Sequence, residues 1–284
     1  MAQVPSPASA SPDPSLLAAP VTLTGNWGAS AEAAAQVVAR MREACLSGIP
    51  LRSDSQPRSL LVDNRSASGA TSPPAQPPAE QPSVHLHADR PQMAWIVVTA
   101  GERDWSRLSY QFGHELGHVF CNSWQAFAKP QLPSQWVEEA LVEAFSIRGL
   151  GLLADGWERK APFAGQEPFA GKIRQYRDNL VAKYGKRAAE LGAQDDLAAF
   201  FRTHRKALDS DLGVAPKTAG AVSGFLAELE RDSSLVADLG ALNRWPERSA
   251  VPVERYLDQW EASCSEVGTS GLLPGRIRGL LKLG

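Results

Sequence analysis

Cysteine is scarce in this sequence, with only Cys45, Cys121 and Cys264 among 284 residues. An odd number at irregular spacing leaves room for at most one disulfide and excludes a zinc knuckle, a C-x-x-C redox pair and a disulfide-built scaffold. No run of 18 apolar residues occurs, which excludes a membrane-spanning helix on length. An excess of charge of either sign is missing as well. The 29 basic and 31 acidic residues leave a formal charge of −2 with no long basic run, so nucleic acid is not expected as a partner. No positive segment precedes the weak apolar patch Leu16-Leu17-Ala18-Ala19, so Met1 to Pro20, rich in Ala, Pro and Ser, reads as a disordered tail and not as a signal peptide. The compartment stays open on this evidence.

What remains is long enough to bury a substantial core. The expected fold class is α+β: a small N-terminal sheet with the functional helices, then a mostly helical C-terminal part. In residue terms this is a tail over 1–20, a catalytic core over 21–150 and a helical subdomain over 151–284. Ser30 to Ser47 reads as an Ala-rich amphipathic helix with Ser30 as N-cap, and Arg58 to Asn64 as a short strand. The Pro-rich stretch 66–83 fits neither helix nor inner strand and is expected as an exposed loop.

Val84 to Ala88 alternates as a strand does, placing His85 and His87 on one sheet face as a surface pair. Met93 to Thr99 is apolar throughout and reads as a strand buried on both faces. Further helices are expected near 170–184, 195–208, 218–231 and 252–263. Trp157, Phe163, Phe169, Phe200, Phe201 and Trp260 are assigned to the core.

The chemistry concentrates in Gln111-Phe112-Gly113-His114-Glu115-Leu116-Gly117-His118. Trp105, Leu108, Phe112, Leu116 and Val119 recur at spacings of three and four, the apolar stripe of a helix, with Asp104 as N-cap. On that helix His114 and His118 lie about 6 Å apart along the axis and share a face, so both imidazoles reach one metal ion. Glu115 is placed to act on a water at that ion. Cys121 falls on the same side and is assigned to packing. Gly113 and Gly117 cost helix propensity, about 1 kcal/mol each. The expected return is close approach of another backbone, from a second helix.

That second helix is expected from Pro133 onward, with Val137, Leu141, Ala144 and Phe145 on its apolar side. A tetrahedral site that keeps one position open needs a third donor from outside the first helix. Glu139 offers a carboxylate, and Glu143, one turn later, is placed to accept a hydrogen bond from the outer nitrogen of a ligating histidine. Glu138 competes with Glu139, although it turns about 100° away from the face that Glu139 and Glu143 share.

The two segments together resemble the gluzincin group of zinc metallopeptidases, the thermolysin and aminopeptidase N type. The group's second motif often runs W-x-x-E-[GA]-x-[AV]-E, which Trp136-Val137-Glu138-Glu139-Ala140-Leu141-Val142-Glu143 follows with Glu139 at the ligand position. The similarity is local, over roughly 45 of the 284 residues. It implies a zincin-like fold, one Zn²⁺ per chain on His114, His118 and Glu139, Glu115 as general base, Glu143 behind a ligand, and a peptide or protein substrate.

It also implies a sheet strand beside the cleft that pairs with substrate, a role open to Val84 to Ala88 or to Met93 to Thr99. No G-[AG]-M-E-N segment occurs, so aminopeptidase activity is not implied. An oxyanion stabiliser has to be sought among Tyr176, Tyr184, His204 and Tyr256.

Two other readings compete. A zincin scaffold that has become a catalytically idle binding or structural module would retain the same residues. Glu43-Ala44-Cys45-Leu46-Ser47 is similar to the E-G-C-L-S segment of peptide deformylases, whose ligands are that cysteine and an H-E-x-x-H pair. Here, however, Cys45 ends a predicted helix 69 positions before His114, and no G-x-G-x-A-A-x-Q segment is present.

Overall fold

The computed structural model describes residues 13–28, 31–66, 82–85, 90–214 and 216–284. Four strands come first, β1 Val21–Gly25, β2 Ser59–Asn64, β3 Ser83–His85 and β4 Met93–Val98, with α1 Ala31–Leu46 between β1 and β2. The helices α2 Trp105–Phe120, α3 Gln135–Arg159, α4 Phe169–Glu190, α5 Leu197–Leu208 and α6 Ala219–Arg231 follow. A short 3₁₀ turn leads to α7 Val236–Leu239, and α8 Val253–Val267 and α9 Leu272–Leu281 complete the chain. The class is mixed α+β with most of the mass in helices. Among the described residues no helix is long and apolar enough to cross a membrane.

The sheet order is β1-β2-β4-β3. The first three strands run parallel, which the α1 crossover permits, and β3 alone is antiparallel, with Val84 opposite Ile96 and His85 opposite Trp95. Among the described residues β4 is therefore interior, and β1 and β3 are the outer strands. Met93 and Trp95 stay half-buried, so β4 is covered on both faces only toward its C-terminal end, at Ile96, Val97 and Val98. That end leads straight into α2.

α2 packs on the sheet through the expected stripe, as Trp105, Leu108, Phe112, Leu116 and Val119 are all buried. Asp104 caps it by accepting from the Arg107 amide. α3 is the axis of the molecule, in contact with α1, α2, α4 and α6. Its residues from Gln135 to Ile147 are buried on every side, as befits a helix surrounded by others. The two glycines of α2 let α3 close in. A Cβ on Gly117 would stand 2.8 Å from Val142 Cβ, and one on Gly113 2.9 Å from Ser146 Oγ. What fills the space is therefore side chain of α3, together with Met41 of α1, and not a second backbone.

Several expectations need correction. Residues 1–12 and 67–81 lie outside the described residues, and so do Ser30, the expected cap of α1, and His87. The described end of the supposed tail is not loose, because Leu16 and Ala19 are each 1% exposed and belong to the buried interior. β1 and α9 were not foreseen as elements. The division at 150/151 falls inside α3, and one continuous hydrophobic core runs from Leu16 to Leu281 across it. The aromatic assignments hold: Trp157, Phe200, Phe201 and Trp260 are buried, with Phe163 and Phe169 packed against the same core. All three cysteines are free and buried, so no disulfide forms.

Candidate metal centre

α2 and α3 together build the site. Residues four apart on α2 put the rings of His114 and His118 edge to face at 5.0 Å between centroids. Glu139 on α3 closes the triangle, with Oε2 at 3.8 Å from His114 Nε2 and 3.6 Å from His118 Nε2. All three donor atoms lie within 4.8 Å of one another. Ligand atoms about 2.0–2.2 Å from a tetrahedral ion stand roughly 3.3–3.6 Å apart, so the triangle is close to the size a metal requires.

The outer nitrogens decide which way the histidines face. His114 Nδ1 is 2.8 Å from Glu143 Oε2, and His118 Nδ1 is 2.7 Å from Glu138 Oε1. A carboxylate only accepts, so in each ring Nδ1 carries a proton toward its acid, and Nε2 is the nitrogen turned toward Glu139. Both acids are themselves held. Glu143 accepts from the Tyr110 hydroxyl at 2.7 Å and also bonds Tyr184. Glu138 accepts from Asn243 Nδ2 at 2.7 Å, and the carboxamide oxygen of Asn243 accepts from the Tyr256 hydroxyl at 2.9 Å. Asn243 Nδ2 also reaches the Cys121 carbonyl and Ser123 Oγ, while its backbone sits at φ 55°, in the left-handed region that asparagine tolerates.

Charge at the site follows from this packing. Burial works against charge on Glu139, yet His118 and His114 outweigh it and hold the carboxyl down at about 2. Burial likewise opposes protonation of both histidines, but their carboxylate neighbours prevail and raise both, His118 the more strongly. Glu115 is the exception. It is 4% exposed, and burial raises its pKa against the pull of the two histidines. Glu139 and Glu143 are both held down by their histidines, so Glu115 is better suited than either to holding a proton for part of a reaction cycle.

The donors open onto a cleft of about 370 Å³. Pro82, Ser83 and Val84 of the β3 edge form one side, and Gly213, Val214, Asn243, Arg248 and Ser249 of the C-terminal part form the other. Of the two strands considered for pairing with substrate, the structure puts β3 at the edge and at the cleft.

The structure brings His114, Glu115, His118, Glu139 and Glu143 together as the sequence suggested. Glu138 is not a donor of the triangle. It is the partner of His118, a place the sequence reading did not give it. Its position 20 residues after His118 puts it across from that ring. The oxyanion candidates fare worse. None of Tyr176, Tyr184, His204 and Tyr256 is among the residues lining the cleft. Tyr256 is fully buried behind Asn243, Tyr184 stands behind Glu143, Tyr176 lies against Tyr110 with ring centroids 5.8 Å apart, and His204 packs beside Phe200 on α5.

Cys45 is buried in α1 and is not among the donors brought together at the site, so a deformylase-like ligand set is not assembled. Cys121 is fully buried at the end of α2 and outside the donor triangle. Asn243 was missed entirely, and nothing in its local sequence marks it. Comparisons of the chain with protein-family models, with curated proteins and with solved structures yield no match.

Proposed function

We propose that the protein is a zinc-dependent peptidase of gluzincin type on a zincin-like scaffold, with one Zn²⁺ held by His114, His118 and Glu139. The observation that carries this reading is the paired orientation of the histidines. Each has its outer nitrogen fixed by a buried carboxylate, and both inner nitrogens face Glu139, which holds neither Nδ1. Two neutral nitrogens and one carboxylate suit zinc well, and three donors leave the fourth position free for water, as in catalytic rather than structural sites.

A zinc ion bound there supplies Lewis acidity, making a water acidic and a substrate carbonyl electrophilic. The residues do the rest. Glu115 Oε takes a proton from the attacking water and delivers it to the departing amine nitrogen. Its raised pKa, with burial as the main cause, matches that double task. Glu143 and Glu138 keep the imidazole planes aimed while charge changes in front of them. Among the described residues β3 is the last strand on its side of the sheet and lies at the cleft, where an extended peptide would run alongside it.

The decisive variant is Glu115→Gln, which removes the base and no ligand. It is expected to retain zinc and to lower turnover on a peptide library by at least about 100-fold. Unchanged turnover in a zinc-loaded variant would take the base away from Glu115.

A further inference from the structure

Arg248 is 5% exposed and lines the cleft that holds the metal donors. Its Nη1 donates to the Asn122 carbonyl at 2.9 Å and its Nη2 to Gln125 Oε1 at 2.7 Å, and the guanidinium lies 5.1 Å from the centroid of the Phe127 ring. Every one of these partners is neutral. Among the described residues no carboxylate forms an ion pair with it, in contrast to Arg177, Arg205 and Arg244, each of which has one.

Glu138 is near enough to exert a field on Arg248, but its own oxygens are taken by His118 and Asn243. A planar cation with five donors, two of them engaged and both by neutral acceptors, is fixed in place with no carboxylate bonded to it.

A second cation borders the same cleft. Lys129 is exposed and, among the described residues, has no ion-pair partner. It stands on the α2–α3 connection, four residues past Gln125, so the segment that pins Arg248 also carries Lys129. Of the acids that line the cleft, Glu139 faces both inner nitrogens and Glu138 holds its histidine and Asn243, and none is bonded to Arg248 or Lys129. Among the described residues, the two cations of the cleft that have no carboxylate bonded to them, Arg248 and Lys129, thus lie on the α2–α3 connection and the 243–249 segment.

From this we infer that Arg248, assisted by Lys129, is a binding subsite for a carboxylate of the peptide substrate. Arg248 supplies geometry, since a guanidinium held in one plane meets a carboxylate with two parallel hydrogen bonds. Lys129 supplies field from the rim. The inference rests on the peptidase reading for its substrate class. The carboxylate has two sources, the free C-terminus of a peptide or an aspartate or glutamate side chain within it.

The test is direct binding, measured by fluorescence anisotropy on the full chain with zinc removed, so that cleavage plays no part. The probes are labelled hexapeptides of one neutral sequence in three forms: C-terminally amidated, with a free C-terminus, and amidated with one internal glutamate. The expected result is binding about ten-fold or more tighter for a carboxylate form than for the neutral amide, the size of a charge-assisted pair. Which carboxylate form gains tells terminal from side-chain recognition.

Arg248→Gln and, separately, the surface change Lys129→Gln should each narrow that gap, Arg248→Gln the more. Arg248→Lys should restore only part of it. Equal affinity for all three probes, or no binding of any, overturns the subsite. The comparison of probes on the parent protein needs no variant, so loss of folding in Arg248→Gln does not rescue the idea. Zinc content is read separately, so failure of the metal site and failure of the subsite are told apart.

Discussion

The two histidines of the site are supported in different ways. His114 is backed by Glu143, and Glu143 by Tyr110 and Tyr184, two tyrosines from α2 and α4. His118 is backed by Glu138, and Glu138 by Asn243 and Tyr256, which come from more than 100 residues further along the chain. The first arm is largely settled once α2 lies against α3. The second is complete only when the segment after α7 has docked, with Asn122 Nδ2 donating to the carbonyls of Gly240 and Leu242 at 3.0 and 2.8 Å. The His118 arm thus ties the candidate metal site to the folding of the C-terminal part. The His114 arm is more nearly autonomous.

The sharpest way to break this comparison is to remove the carboxylates themselves. Glu143→Ala and Glu138→Ala are each expected to weaken zinc binding by about 10–100-fold, the usual consequence of losing the group behind a ligating histidine. Competition with a chromogenic chelator measures it. Glu138→Ala should be the more damaging to thermal stability, because it also removes the bond through which α3 holds Asn243 of the C-terminal part.

One step further out the arms should diverge. Tyr110→Phe leaves Glu143 with Tyr184 and is expected to cost zinc affinity only a few-fold, within the lower part of that range. Asn243→Ala removes a residue with φ 55° whose amide meets Glu138, Cys121 and Ser123. It should cost more affinity than Tyr110→Phe and about 1–3 kcal/mol of stability, read from chemical denaturation. Equal effects of the two changes would dissolve the distinction between the arms.

The smallest effect on the site is expected from Cys45→Ser. Its thiol is in the core and not among the donors, so zinc content should stay as in the parent while stability falls by about 1–2 kcal/mol. Loss of zinc on this change would revive the cysteine-ligand reading.

The same contrast explains how much was legible beforehand. The stripe of α2, the helical character of α3, and the pairs His114/His118 and Glu139/Glu143 follow from spacings of three and four, a rule that acts within one or two turns. Joining the two pairs took the need for a third donor and the resemblance of the second motif. Glu138 was visible as an acid, but its role depends on the crossing of α2 and α3. That crossing turns on which side chains fill the space beside Gly113 and Gly117.

Asn243 and Tyr256 carry no local signature at all, because an asparagine before a Trp-Pro pair reads as a turn and a tyrosine on an amphipathic helix reads as packing. β1, Val-Thr-Leu-Thr-Gly, is a short strand at one edge of the sheet with two exposed threonine and glycine positions at its end, too little pattern to stand out beside the Pro-rich start. α9 begins Leu-Leu-Pro-Gly, and its proline is tolerated because it lies in the first turn, where no helical hydrogen bond is lost.

The most direct test of the account is zinc content by elemental mass spectrometry on untagged protein, for the parent and for Glu139→Ala. The account predicts about one zinc per parent chain, lost or markedly weakened in the variant while the fold persists. A parent that takes up no zinc even after reconstitution, or a variant that holds it as well as the parent, would contradict the three-donor site on which the rest depends.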